Sequence, residues 1–99
     1  MNHGIESIYQ NKIIAILSVL FPHAEIYLFG SRARGTQSQW SDIDIALKEN
    51  QKISRTAIGE AISMLAASNI PYKIEIVDFN AVSDDMRQSI TQEGLLWKK

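Results

Sequence analysis

The chain has 99 residues, of which 45% are hydrophobic and 21% are charged, and its formal net charge is −1. This is the balance of an ordinary soluble domain, so we expect one domain over residues 1–99 and no broad nucleic-acid binding, which requires a basic surface. Cysteine is absent, which excludes disulfides and thiolate zinc sites, and no signal peptide or membrane-spanning run is present, so a cytoplasmic protein is expected.

The first predicted elements are a helix and a strand separated by a proline. Apolar residues at helical spacing between Ile5 and Leu20 predict an amphipathic helix, and Pro22 ends it. The short segment Glu25–Phe29 predicts a strand that leads directly into Gly30. Residues 31–40 are polar and rich in turn formers, which predicts a loop with room for one helical turn at its start.

The second half of the chain continues the alternation of strands and helices. Residues 41–47 alternate polar and apolar side chains, the period of a half-buried strand. Ser54 is the predicted cap of a helix that runs to about residue 68, and residues 72–79 predict another strand. Ser83 is the predicted cap of a last helix over residues 84–92, followed by a short edge strand over residues 95–97.

The most specific pattern is Gly30-Ser31, ten intervening residues, and Asp42-Ile43-Asp44. The strand period places Asp42 and Asp44 on one face, about 6.6 Å apart along the chain. Two carboxylates at about 7 Å repel by roughly 2 kcal/mol at an effective dielectric near 20. The pair is therefore a candidate cation site, and oxygen-only ligands favour magnesium or manganese.

The glycine turn before this pair has the features of a phosphate site. Gly30 follows a strand and allows backbone amides to approach an anion, and the Ser31 hydroxyl can donate to a phosphate oxygen. Arg32 and Arg34 lie beside the turn and are candidate nucleotide-binding residues, although plain surface charges would also explain them. A P-loop is excluded, because that motif requires Lys where Thr36 stands.

Two further side chains leave alternatives open at the sequence level. A third carboxylate would complete a two-metal phosphoryl site, and the strand over residues 72–79 offers two. Glu75 shares the strand face opposite the apolar residues and is preferred, whereas Asp78 is in phase with the core and could cap a turn. Trp40 precedes the Asp-x-Asp strand and could stack on a base, but packing beneath the loop is the favoured interpretation.

On these motifs the chain resembles the minimal nucleotidyltransferases of the DNA polymerase beta-like superfamily. The resemblance covers nearly the whole chain and implies an α+β fold, a small mixed sheet flanked by helices. It also implies transfer of a nucleoside monophosphate from a nucleoside triphosphate, ATP above all, to an acceptor hydroxyl. In that pattern Gly30 and Ser31 would hold the triphosphate, and Asp42 and Asp44 would bind Mg2+, with two ions expected. Glu75, where many relatives have Asp, would be the third ligand or the base.

The resemblance also suggests a partner. Small members of this family are commonly antitoxins of HEPN-domain ribonuclease toxins, and some AMPylate a tyrosine on that toxin. A chain of 99 residues has little material for an acceptor pocket, so an acceptor on a partner protein suits its size. Two alternatives stay open: a catalytically inactive module that neutralises its partner by binding, and a small-molecule transferase whose pocket is built by a homo-oligomer.

Overall fold

Helices and strands alternate throughout residues 3–99, the part of the chain that the computed structural model describes. The elements, in chain order, are α1 (Ser7–Leu20), β1 (Glu25–Phe29), α2 (Ser31–Arg34), β2 (Ile43–Lys48), α3 (Arg55–Ala66), β3 (Ile74–Asp78), α4 (Asp84–Glu93) and β4 (Leu95–Lys98). Every predicted element is present, and no end differs from its predicted position by more than two residues. Among the helices of residues 3–99, none is long and apolar enough to cross a bilayer.

Serine side chains cap the starts of α3 and α4, and a glycine ends α2. Ser54 accepts a hydrogen bond from the amide of Ala57 at 3.2 Å, and Ser83 accepts one from the amide of Met86 at 3.2 Å. Each cap satisfies a backbone donor that the first helical turn leaves unpaired, which is worth about 1 kcal/mol. The short helix α2 ends at Gly35, whose φ of 78° lies in the left-handed region that glycine adopts without strain.

The four strands form one mixed sheet in the order β3-β2-β1-β4, which confirms the predicted fold class. Strand β1 pairs antiparallel with both β2 and β4. Strands β2 and β3 are parallel, and α3 provides the crossover between them. The two central strands therefore carry the functional motif, and β4 is an edge strand as predicted.

One face of the sheet is sealed by α1 and α3, and the main core lies there. It combines apolar residues of β1, β2 and β3 with those of the two helices: Ile26, Leu28, Ile43, Ile45, Leu47, Ile74, Ile76, Ile13, Leu17, Ala61 and Leu65. The helix α4 lies against β1, and its buried Ile90 is outside that cluster. Strand alternation directs the intervening side chains to the opposite face, where the acidic residues are found.

Candidate active site

The Gly-Ser turn lies where β1 passes into α2, directly against the second strand. Gly30 has φ 76° and ψ −156°, a conformation that residues with a Cβ rarely adopt. A Cβ at this position would also overlap Oδ2 of Asp44, with the carboxyl carbon only 3.1 Å away. Glycine is therefore required both by the backbone and by the close approach of the acid. The turn and the Asp-x-Asp segment are in contact, as the motif predicts.

The two aspartates occupy the start of β2. Asp42 lies immediately before the strand, and Asp44 is its second residue, paired with Phe29 of β1. The residue between them, Ile43, is fully buried in the core, so the aspartates project from the other face. The predicted placement of the pair beside Gly30 is present in the structure.

Glu75 lies beside Asp44 on the neighbouring strand. In the parallel register of β2 and β3, Asp44 pairs with Glu75, so the two Cα positions are direct neighbours across the ladder. The side chain of Glu75 forms an ion pair with Lys73, whose Nζ is 3.1 Å from Oε1. Lys73 and Glu75 are two residues apart in the chain, so the Glu75 carboxylate is engaged by a side chain of its own segment.

The electrostatics of the site are centred on Asp44. Burial raises the pKa of this carboxyl above its ordinary value, and the negative charges of Asp42 and Glu75 raise the pKa further. Arg34 and Arg32 oppose that shift. No donor among residues 3–99 forms a hydrogen bond with the carboxylate of Asp42 or Asp44. Two negatively charged carboxylates that accept no hydrogen bond from these residues are suitable oxygen ligands for a hard divalent cation.

The predicted cluster of three carboxylates is not assembled in this arrangement. Within the described residues, no three His, Asp or Glu side chains are close enough together to hold one metal ion. The pair Asp42 and Asp44 fits a cation in donor chemistry, whereas the Glu75 carboxylate is engaged with Lys73. The expectation that Asp42, Asp44 and Glu75 converge is thus corrected for Glu75, whose backbone is in register but whose carboxylate is directed to a lysine.

Arg32 is buried, and its guanidinium binds backbone carbonyls of the protein. The residue is 1% exposed, and it donates to the carbonyl oxygens of Ser41, Gln39 and His3. Its guanidinium carbon lies 4.8 Å from the centre of the Tyr72 ring. All three guanidinium nitrogens donate to backbone carbonyls, so Arg32 holds the loop in this structure, and its predicted contact with a nucleotide stays a prediction.

Arg34, by contrast, keeps a partly exposed guanidinium near the acids. Its side chain is 42% exposed, and its nearest acidic partner is Glu93 at 4.0 Å, the outer limit of an ion pair. Its charge lowers the pKa of Asp44, which places it within electrostatic range of the site. A solvent-exposed pair of this length is worth little, so Arg34 can exchange Glu93 for a phosphate oxygen at small cost.

Asp78, the alternative third carboxylate, belongs to the other face of the sheet. It is 7% exposed, and its two oxygens accept hydrogen bonds from the amides of Ile53 and Asn80 at 2.7 and 3.0 Å. These bonds anchor the loops that flank the carboxyl end of β3. The structural role that the strand phase suggested for Asp78 is therefore the one it performs.

Two side chains near the site have positions that the sequence did not indicate. Trp40 is 76% exposed, so the favoured interpretation of packing beneath the loop is wrong. Lys73 forms an ion pair with Glu75, two residues away, which the motif did not indicate. That spacing is the one signal that could have identified it.

The fold and this site together define a class of protein. Residues 11–98 match the family model described as polymerase beta nucleotidyltransferase. The chain therefore belongs to the polymerase beta nucleotidyltransferase family.

Particular relatives narrow the comparison. Over 95 residues the chain is 35% identical to the protein adenylyltransferase MntA of Shewanella oneidensis, covering 94% of this chain and 68% of that protein. A toxin–antitoxin crystal structure with AMP-PNP superposes with a TM-score of 0.78 at 34% identity, covering 91% of this chain and 73% of the other. A structure of the tri-AMPylated Shewanella oneidensis HEPN toxin in complex with MNT antitoxin superposes with a TM-score of 0.75 at 28% identity, covering 96% of this chain and 74% of the other. The chain spans about two thirds of the length of the curated relatives it matches.

Proposed function

We propose that this chain transfers AMP from ATP to a hydroxyl group of a partner protein, a HEPN toxin, and thereby acts as its antitoxin. The observation that carries the proposal is the parallel register that sets Glu75 beside Asp44, next to the Gly30-Ser31 turn. The comparisons support the same proposal. A relative of this chain is named a protein adenylyltransferase, and similar solved structures are toxin–antitoxin complexes. Residues 1–99 would act as one catalytic unit.

The binding roles follow from the positions of the side chains. Asp42 and Asp44 would hold Mg2+, because no donor among residues 3–99 bonds to these two carboxylates beside the turn. When bound, Mg2+ supplies positive charge that neutralises the triphosphate and polarises the reacting phosphoryl group. Gly30 leaves space for the triphosphate against the backbone, Ser31 would donate its hydroxyl to a phosphate oxygen, and Arg34 would balance the remaining charge.

The chemical step is a displacement at the α-phosphorus of ATP. The acceptor hydroxyl oxygen forms a bond to that phosphorus, while the bond from the phosphorus to the bridging oxygen of the β-phosphate breaks. Pyrophosphate leaves with the bonding electron pair, and the acceptor becomes an AMP ester. The hydroxyl proton passes to a carboxylate, for which Glu75 is the candidate base once it separates from Lys73. Positioning of the two reactants supplies much of the rate.

Differential labelling of ATP tests this reaction directly. The chain is incubated with its purified HEPN partner, Mg2+, and ATP labelled either at the α-phosphate or at the γ-phosphate. Transfer of the α-label alone is the expected result, since AMP transfer releases the γ-phosphate in pyrophosphate. Asp42→Asn combined with Asp44→Asn should abolish transfer, whereas Asp85→Asn, which alters an exposed acid on α4, is the matched control. Transfer of the γ-label would contradict the proposal. The absence of any label transfer, in a folded native complex that is shown to bind ATP, would also contradict it.

The pairing of Glu75 with Lys73 favours a second candidate function, neutralisation of the partner by binding alone. A site whose third carboxylate is held by a lysine is less prepared for catalysis than one with three converging acids. The double Asn variant separates the two candidates. If it still suppresses the nuclease activity of the partner as well as the native chain does, occlusion and not AMP transfer accounts for neutralisation.

A further inference from the structure

A buried arginine connects the two halves of the nucleotide motif. Arg32 follows the Gly30-Ser31 turn by one residue, and its Nε and Nη2 both donate to the carbonyl oxygen of Ser41, at 3.1 and 2.8 Å. Nη1 donates to His3 at 3.1 Å, and Nη2 also approaches the carbonyl of Gln39 at 3.4 Å. The Tyr72 ring lies beside the guanidinium. The main target of this arginine is therefore the carbonyl directly before Asp42.

We propose that Arg32 is a positioning residue that sets the direction of Asp42 by holding the Ser41 carbonyl. This inference rests on the proposed function, in which Asp42 is a metal ligand. The carbonyl of Ser41 and the amide of Asp42 share one planar peptide group, so fixing the carbonyl oxygen fixes the orientation of the Asp42 backbone. Asp42 lies before the first residue of β2, outside the strand itself, and needs this restraint more than Asp44 does.

The other side of Asp42 is already restrained by the sheet. The amide of Ile43 donates to the carbonyl of Lys73 at 2.9 Å, which joins the start of β2 to the start of β3. Asp42 is thus held between a sheet hydrogen bond on its carboxyl side and the Arg32 contacts on its amino side. Without Arg32, the contacts between Ser38 and Ser41 would remain, at 3.3 Å from the Ser41 amide to the Ser38 carbonyl and 2.9 Å from the Ser38 amide to Ser41 Oγ. These bonds join the loop only to itself, so the peptide before Asp42 would lose its link to α2 and could rotate with the loop over residues 35–41.

The geometry explains why this position holds arginine. One guanidinium presents a rigid fork of donors, which reaches the three carbonyl oxygens, whereas a lysine ammonium is a single point of charge on a flexible stem. Burial of the cation is costly, and no carboxylate among the described residues forms an ion pair with it. Carbonyl dipoles and the Tyr72 ring stabilise it instead. Arg32→Lys therefore keeps the charge while removing the fork.

The chain contains a natural reporter for this contact. Trp40 is 76% exposed and lies between Gln39 and Ser41, the two loop residues whose carbonyls Arg32 holds. In a Trp97→Phe background it is the sole tryptophan, because the chain has two. Its fluorescence anisotropy decay measures the mobility of the loop, and direct titration with Mn2+ measures the metal site without any need for catalysis.

The experiment compares Arg32→Lys with the native side chain in that background, and Arg55→Lys, at an exposed position on α3, is the matched control. In folded Arg32→Lys we expect faster local motion of Trp40 and about tenfold to hundredfold weaker Mn2+ binding, the range found when supporting partners of metal ligands are lost. Transfer activity should fall in kcat more than in KM for ATP. Native anisotropy and native Mn2+ affinity in folded Arg32→Lys would overturn the proposal.

A second variant keeps the test decisive if Arg32→Lys does not fold. Tyr72→Leu removes the ring beside the guanidinium and leaves the carbonyl partners of Arg32 in place. Greater Trp40 motion together with weaker Mn2+ binding in this variant would support the positioning role, and greater motion with native affinity would refute it. If the native chain binds no Mn2+, the proposed function fails, and Trp40 mobility in the variants alone decides whether Arg32 restrains the loop.

Discussion

Asp44→Asn should make the metal-free protein more stable while it removes activity. Asp44 is half-buried, has two acidic neighbours, and accepts no hydrogen bond from the part of the chain that the structure describes, so its charge is unfavourable for folding. Asparagine has almost the same shape and carries no charge. Active-site residues that oppose stability in this way are expected where a ligand later compensates them.

The magnitude follows from the spacing of the carboxylates. Asp42 and Asp44 are two strand positions apart, about 7 Å, which gives roughly 2 kcal/mol of repulsion at an effective dielectric near 20. Because both side chains are partly exposed, screening reduces this to about 1 kcal/mol. The charges of Glu75 and Arg34 act in opposite directions on Asp44 and offset one another. An increase of about 1 kcal/mol raises the melting temperature of a domain this size by about 4–8 °C.

The measurement is thermal and urea unfolding of both proteins in a chelator, followed across pH. Asp44 has a folded pKa above its ordinary value of 3.8. At low pH the group is protonated in both the folded and the unfolded chain, so its substitution should have no effect. As pH rises, Asp44 ionises in the unfolded chain before it ionises in the folded chain, so the protein with Asp44 loses stability between the two pKa values. The greater unfolding free energy of Asp44→Asn should develop in that pH range and persist at neutral pH.

Addition of Mg2+ should make the unsubstituted protein more stable than Asp44→Asn, because only the protein with both aspartates gains binding free energy from the ion in its folded state. Asp85→Asn, at an exposed acid in the first turn of α4, is the control and should be neutral or slightly destabilising. A native protein that is more stable than Asp44→Asn at neutral pH in chelator would refute the electrostatic reasoning.

Three further substitutions have distinct expected outcomes. Gly30→Ala should destabilise the fold by about 1–3 kcal/mol in urea unfolding, because the positive φ and the adjacent Asp44 carboxylate both oppose a Cβ, and an unchanged midpoint would contradict this. Lys73→Met should strengthen Mn2+ binding severalfold in titration, since it removes a competing cation from Glu75, and weaker binding would instead make Lys73 part of the site. Asp78→Asn should lower the unfolding free energy by about 1–3 kcal/mol through its lost amide contacts, with native Mn2+ affinity in the folded variant.

The fold was predictable from local signals that all agree with one another. The alternation over residues 41–47 and 72–79 identified two strands and the face on which their acids lie, and the serine caps located α3 and α4. The Gly30-Ser31 and Asp-x-Asp motif predicted the contact between the turn and the start of β2, because residues close in sequence and bounded by strands have few ways to be arranged. Pairing of β2 with β3 depends on sheet order, which periodicity alone does not determine.

The unpredicted features are long-range side-chain contacts. Arg32 looks like a phosphate ligand from its position in the motif, yet it meets carbonyls of residues 3, 39 and 41 that only the folded loop brings to it. Lys73 and Glu75 are adjacent on one strand face, but whether the acid turns to the lysine or to Asp44 depends on the balance of charge in the site. Trp40 is exposed because the loop leads its ring outward, a detail without a sequence signal.

The parallel register of β2 and β3 limits which positions of β3 can present an acid beside Asp44. The apolar residues Ile74 and Ile76 determine which side chains of β3 face Asp44, since a slip of one position would expose them to water. An acid on this strand can therefore migrate during evolution only in steps of two residues. For the same reason, exchange between aspartate and glutamate at one position of β3 is far easier than a move of the acid to the adjacent residue.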